Sequence, residues 1–222
     1  MYFRDIGIHF PRDDATTRDY LLETEHVVGI FLQFMPRKYE LDGMAKTNIF
    51  IGPAVDEPKY HQALNVNIYH FEGFDENLFQ GSSRSHRDEM MLEAIEASLL
   101  DIALDFDADP APIKKAADAT RDCKFDLKVE SKLSRSTKSR RLRLCVYCRM
   151  RREGIEWGID IKNRKREVLD TIVIDADSNL LRSSYDYRKS NWKGTEFVIR
   201  DFVDQETFRI DAAPLESKLD NT

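Results

Sequence analysis

The sequence is short of several residue types, and each shortage excludes a class of protein. Nine glycines and seven prolines among 222 residues exclude a collagen-like chain and a chain made mainly of linkers. Three cysteines, an odd number in a chain of this size, argue against a disulfide framework. The longest apolar run, Val27 to Met35, has nine residues, whereas a helix needs about 20 to cross a bilayer.

The chain also lacks the short motifs that identify common chemistries. It contains no Walker loop, no dinucleotide-binding glycine motif, no nucleophile elbow and no set of kinase motifs. Residues 1–10 include charges and no apolar run before a cleavage site, so we expect no signal peptide. We therefore expect a cytoplasmic protein without membrane contact, and the sequence identifies no catalytic residue, metal ligand or cofactor.

Charge is abundant in this sequence and is unevenly distributed. Charged residues make up 33% of the chain, and 34 Lys and Arg against 40 Asp and Glu give a net charge of −6. The net charge is −12 over residues 1–110, +1 over 111–131, +10 over 132–166 and −5 over 167–222. An acidic chain therefore contains a strongly basic segment, which bears on its partners rather than on its fold.

Periodicity predicts strands in the first 80 residues and two helices after them. We expect strands at Tyr2–Phe10, Thr47–Ile51 and residues 64–71, and the length of Val27–Met35 favours a buried strand, with a helix as the alternative. A stripe of apolar residues at helical spacing predicts the first helix: Met91, Leu92, Ile95, Leu99, Ile102 and Phe106.

The ends of both helices also carry sequence signals. Ser85, three residues before Asp88, resembles a capping box at the start of the first helix. Asp109 followed by Pro110 predicts the start of a second helix that ends near Arg121.

The last 100 residues predict an antiparallel sheet. Apolar and polar residues alternate over residues 125–133, 142–150 and 155–161, and further strands are expected at Val168–Ile174, Phe197–Val203 and Phe208–Ile210. The predicted fold class is α+β, with antiparallel sheets packed against a central helix pair. We expect either a β-rich segment over 1–82 followed by a helix pair with antiparallel sheet over 83–222, or one continuous domain.

The most unusual surface that the sequence predicts is a row of arginines on one face of the strand near residue 146. This predicted arginine face consists of Arg141, Arg143, Arg149 and Arg151, with Tyr147 among them. It could bind an acidic protein, grip nucleic-acid phosphates with Tyr147 stacking on a base, or pair with Glu156 and Asp160 of the next strand. A complementary acidic face is predicted on the first helix at Glu89, Glu93 and Glu96.

Two further patterns suggest chemistry. Cys145 and Cys148 form a C-x-x-C pair, but residues three apart on a strand face opposite ways, so we expect Cys148 in the core and Cys145 outward. Asp126, Lys128, Glu130 and Lys132 resemble the acid-x-Lys element of metal-dependent nucleases, or a solvated strand face.

These observations favour a non-enzymatic binding protein that associates with another macromolecule by charge complementarity. One concrete form is a bacterial-type immunity protein that neutralises a toxin, because an acidic surface steers association with a basic target. A protein partner is expected first and self-association remains open. The alternative is a metal-dependent nuclease or phosphodiesterase, or a nucleic-acid-binding protein, that uses the basic segment 132–166.

Overall fold

Helices and strands alternate in the first part of the chain, whereas strands dominate the second. The computed structural model describes residues 1–10, 15–53, 58–176 and 187–218. It divides the chain into two compact units, Met1–Asp126 and Leu127–Thr222. The α+β class and the antiparallel sheets are confirmed.

The first unit combines a four-stranded sheet with helices. Its elements, in chain order, are β1 (Asp5–His9), α1 (Ala15–Phe34), β2 (Lys46–Ile51), β3 (Tyr60–Ala63), β4 (Val66–Phe71), α2 (Glu76–Gly81), α3 (Arg84–Asp105) and α4 (Ala111–Asp122). The strand order is β1-β2-β4-β3, with β1 and β4 parallel to β2 and β3 antiparallel to β4. Helix α1 is the crossover that two parallel neighbours require.

Val27–Met35 is not a strand but the end of α1 and the residue after it. The buried side chains of Val27, Ile30 and Phe31 follow helical spacing, and Val28 and Leu32 also pack against the core. A helix that is covered on most of its surface is apolar nearly all round, so its short apolar run looks like a buried strand.

The predicted helix pair corresponds to α3 and α4, and both belong to the first unit. Met91, Leu99 and Ile113 share one core with Ile49 of β2 and Tyr69 of β4. The division between the two units therefore follows Asp126 in the chain, whereas the sequence suggested a division near residue 82. The helices pack on the early strands because α1 and α3 both contribute apolar side chains to the core of the sheet.

The caps of the helices differ in detail from the predicted ones. Ser83, rather than Ser85, caps α3, and its Oγ accepts a hydrogen bond from the backbone nitrogen of His86. Asp109 accepts a hydrogen bond from the backbone nitrogen of Ala111, so it satisfies one of the free donors at the start of α4.

A row of rings crosses the face of the first sheet that lies away from its core. The ring centroids of His9 and Phe50 are 4.6 Å apart, those of Phe50 and His70 5.4 Å, and those of His61 and His70 6.4 Å. Each strand of the sheet contributes one ring. Cross-strand ring pairs of this kind stabilise a sheet and fix its register.

The second unit contains two antiparallel sheets. Its elements are β5 (Leu127–Glu130), β6 (Arg135–Ser136), β7 (Leu142–Arg151), β8 (Gly154–Asn163), β9 (Val168–Asp175), β10 (Lys189–Lys193), β11 (Glu196–Arg200), β12 (Glu206–Asp211) and α5 (Ala213–Lys218). One sheet has the order β5-β7-β8-β9 with β6 also paired to β7, and the other has the order β10-β11-β12. Leu144, Ile159, Phe197 and Ile199 contribute to the core between them.

Candidate anion-binding grooves

Three residues of the predicted arginine face, Arg143, Arg149 and Arg151, lie on β7, and Arg141 directly precedes that strand. Neighbouring strands compensate much of the charge of this face. Arg143 donates a hydrogen bond to Glu130 of β5 at 2.7 Å, and Arg151 donates one to Glu156 of β8 at 2.9 Å. Arg149 lies opposite Glu156 in the β7–β8 register. Since these arginines already pair within their own sheet, they form a mosaic of both signs rather than a purely basic surface.

Tyr147 lies on the same face, but only 3% of it is exposed. Its hydroxyl donates a hydrogen bond to Glu156 at 2.8 Å, and the ammonium of Lys128 lies 3.7 Å from the ring centroid. Burial and the nearby Glu156 carboxylate raise the pKa of the Tyr147 hydroxyl. The ring also lies across Gly158, where a Cβ would meet the Tyr147 hydroxyl. Tyr147 is therefore not exposed for stacking on a base.

Two residues of the nuclease alternative, Lys128 and Glu130, are engaged in ion pairs. Lys128 pairs with the nearly buried Asp160 at 2.7 Å, and Thr171 also donates to Asp160. Arg143 lowers the pKa of the Glu130 carboxyl by hydrogen bonding. In the described part of the chain, no three His, Cys, Asp or Glu side chains come together as metal ligands.

Cys145 is buried rather than outward, which corrects the sequence-based expectation, and Cys148 is only half-buried. Tyr147 and neighbouring side chains cover this face of β7. Consecutive residues here are therefore buried although they point to opposite faces of the strand. Burial raises the pKa of both thiols, that of Cys148 to about 12. Both thiols are therefore protonated near neutral pH, which disfavours redox chemistry at this C-x-x-C pair.

The predicted acidic face of α3 is partly neutralised by α4. Arg121 donates to Glu89 at 2.6 Å and to Glu96 at 2.9 Å, and Glu93 is exposed. The carboxylates of Glu89 and Glu96 therefore hold α3 against α4 as well as facing solvent.

An open groove of about 580 Å³ in the second unit has a very different charge balance. We call it the basic groove, and its lining consists of Lys132, Leu133, Arg135, Arg188, Lys189, Ser190, Asn191, Arg200 and Asp204. Five of these nine residues are cationic and one is acidic. The volume lies within the range of ligand sites in proteins, about 300–1,000 Å³.

Hydrogen bonds between the segments fix the shape of the basic groove. Ser190 of β10 donates to the carbonyl of Leu133 at 2.6 Å, which ties β10 to the segment before β6. Arg135 donates from Nη1 to the carbonyls of Lys132 and Ser134 at 2.7 and 2.8 Å. The guanidinium of Arg135 is therefore held in place before any ligand arrives.

The single carboxylate of the basic groove is already compensated. Asp204 lies 3.4 Å from the ammonium of Lys189 and 3.3 Å from the guanidinium of Arg200. Lys132 and Arg188 are exposed, and neither forms an ion pair with any side chain that the structure describes. Lys132, Arg135 and Arg188 consequently give the groove an uncompensated positive charge.

A second basic depression lies at the turn between β8 and β9. This turn groove, of about 190 Å³, is lined by Arg141, Asn163, Arg164 and Lys165. Arg164 donates to the carbonyls of Arg140 and Ser139, both at 3.3 Å. Arg141, a residue of the predicted arginine face, therefore lines a basic depression.

Sequence reasoning did not find the cations of β10 and β11. Arg188, Lys189 and Arg200 lie within residues 167–222, whose net charge is −5, and only folding brings them beside Lys132 and Arg135. The one local signal was the polar alternation of Lys189–Lys193, which is typical of a solvated strand.

Comparisons of the chain with protein-family models, with curated proteins and with solved structures found no match. Within the described residues, no helix has both the length and the apolar character needed to cross a membrane.

Proposed function

We propose that this protein is a non-enzymatic binding protein that associates with an anionic macromolecule through its second unit. The basic groove supports this proposal most directly, because five cations line it and its one carboxylate is paired. Such a surface strengthens the binding of anionic ligands through charge-assisted hydrogen bonds, and it also raises their association rate.

The two units differ in the sign of their net charge. The first unit carries 13 Lys and Arg against 24 Asp and Glu, a net charge of −11, and the second carries 21 against 16, a net charge of +5. The whole-chain value of −6 therefore describes neither unit. A basic balance such as that of the second unit is typical of modules that bind anionic polymers.

A basic protein partner, such as a toxin neutralised by an immunity protein, has weaker support. Glu89 and Glu96 of the predicted acidic face already pair with Arg121, which leaves Glu93 as the exposed member. This hypothesis stays a prediction, and the polymer titration described next tests it as well.

The proposal is tested by titrating the full chain against fluorescent polymers at 50 mM salt. The polymers are heparin, a 20-base-pair DNA duplex and poly-glutamate, with poly-lysine as the cationic comparison. We expect at least one polyanion to bind, with an affinity that falls steeply as salt rises, because bound cations release counterions. Binding to poly-lysine alone would favour the acidic face, and the absence of any polyanion binding would contradict the proposal.

A further inference from the structure

We infer that the basic groove and the turn groove hold backbone phosphates of a duplex nucleic acid, without reading its sequence. This inference rests on the proposed function and narrows the anionic partner to one chemical class. Four observations carry it: the anchored arginine, the second groove, the composition of both linings and the burial of Tyr147.

Arg135 has the geometry of a preorganised phosphate ligand. Its Nη1 is occupied by the carbonyls of Lys132 and Ser134, whereas its Nε and Nη2 make no hydrogen bond within the described residues. An arginine that is already oriented loses little side-chain entropy on binding, and its planar fork matches two phosphate oxygens. Lys132 and Arg188 add exposed cations to the lining of the same groove.

The presence of two basic grooves indicates an extended ligand. The turn groove presents Arg141, Arg164 and Lys165, and its lining contains no carboxylate. A small phosphorylated metabolite would occupy one such depression, whereas a polymer with a charge at every repeat can occupy both. A nucleic-acid backbone supplies such a repeat of charges.

The composition of the linings favours nucleic acid over an acidic protein. Leu133 is the single apolar residue among the thirteen that line the two grooves, and none is aromatic. Protein interfaces depend on a buried apolar centre enriched in aromatic residues, whereas nucleic-acid interfaces are polar and positively charged.

The same composition favours a duplex over a single strand. Proteins that bind single strands stack bases on exposed aromatic rings. Neither groove offers such a ring, and Tyr147 lies beneath Lys128. A duplex keeps its bases stacked internally and has the higher phosphate density, so backbone contacts alone suffice to hold it.

The test compares the full chain with two variants by fluorescence anisotropy on a 20-base-pair duplex between 50 and 200 mM salt. The double variant Lys132→Ala/Arg188→Ala removes the two unpaired cations of the basic groove. The control is Lys193→Ala on β10, which removes another exposed cation that does not line either groove and lies near Glu206. Circular dichroism and thermal melting establish that each variant is folded.

For the double variant we expect weaker duplex binding at every salt concentration and a smaller salt dependence. Each phosphate contact contributes a slope near 0.9 to the fall of log affinity with log salt concentration, so it accounts for an affinity loss of about 3.5-fold across that fourfold salt range. A variant that lacks one contact should be spared that part of the loss. Lys193→Ala should retain the slope of the unmodified chain. Two unrelated duplex sequences should bind alike, and single strands more weakly.

Three results would overturn this inference while leaving the proposed function in place. The first is duplex binding that the double variant and Lys193→Ala weaken equally, because the grooves would then play no special part. The second is tighter binding of single strands than of duplex. The third is binding of heparin or poly-glutamate without binding of duplex. If no polyanion binds at all, the proposed function itself is wrong.

Discussion

The ammonium of Lys128 lies 3.7 Å from the centroid of the Tyr147 ring, and the same ammonium pairs with Asp160. Lys128 thereby covers an aromatic ring and neutralises a carboxylate of which only 9% is exposed. Lys128 and Tyr147, which the sequence suggested as members of solvated strand faces, thus belong to a packed polar layer.

Replacing Lys128 by Met keeps most of the aliphatic cover over Tyr147 and removes the charge. We expect the free energy of unfolding to fall by about 1–2 kcal/mol, because Asp160 would lose its cation while still largely buried. Urea denaturation measures the change. The double variant Lys128→Met/Asp160→Asn should recover part of the loss, and an unchanged midpoint for Lys128→Met would show that the pair contributes nothing.

Gly158 allows Tyr147 to lie flat across β8. A Cβ at this position would clash with the Tyr147 hydroxyl and come within 2.8 Å of the carbonyl of Ile172. Because the second atom belongs to the backbone of β9, Gly158→Ala should destabilise the second unit by about 1–3 kcal/mol.

Gly81→Ala is the matched control, because apart from its chain neighbours and its own helix backbone no atom lies within 4 Å of a Cβ at Gly81. Thermal melting of both variants should show a clear loss for Gly158→Ala and little change for Gly81→Ala. Equal melting temperatures would mean that β8 and β9 separate easily enough to admit a methyl group.

Arg143 and Arg188 should contribute unequally to polyanion binding. Arg143 belongs to the predicted arginine face but is paired with Glu130, whereas Arg188 lines the basic groove and has no acidic partner among the described residues. We expect Arg188→Ala to weaken duplex binding and Arg143→Ala to change it little, in the same anisotropy assay. A larger effect from Arg143→Ala would indicate that polyanions bind the predicted arginine face on β7 rather than the basic groove.

Local patterns sufficed to predict much of this fold. The stripe that begins at Met91 predicted α3, and the alternation around Val146 predicted β7, because both signals depend on neighbouring residues. At the end of α1 the sequence favoured a strand over the helical alternative, since a helix buried on most sides loses its periodic pattern.

The candidate site depends on contacts that no local pattern contains. Lys132 and Arg188 lie 56 positions apart in the sequence and line the same groove only after β10 pairs with β11. Tyr147 looked like an exposed ring of an arginine face, and it is buried because the cross-strand register places Gly158 opposite it. Register and long-range pairing, rather than composition, decide which charges remain free.

Acid sensitivity of the first unit should depend on Asp101. Lys59 and Tyr69 donate hydrogen bonds to this carboxylate at 2.7 and 2.6 Å, and both lower its pKa. Since the folded pKa lies below the unfolded value of about 3.9, Asp101 stabilises the fold above that pH, and this contribution is lost as the pH falls through the folded pKa. Asp101 is half exposed, so the contribution should be under about 1 kcal/mol.

The variant Asp101→Asn should therefore reduce the difference in unfolding free energy between pH 7 and pH 3. Asp42→Asn is the matched comparison, because burial raises the pKa of Asp42, and the contribution of that group is lost as the pH rises. The same difference should increase in Asp42→Asn. Urea denaturation at both pH values measures the two changes, and a shift of equal sign in both variants would contradict these assignments.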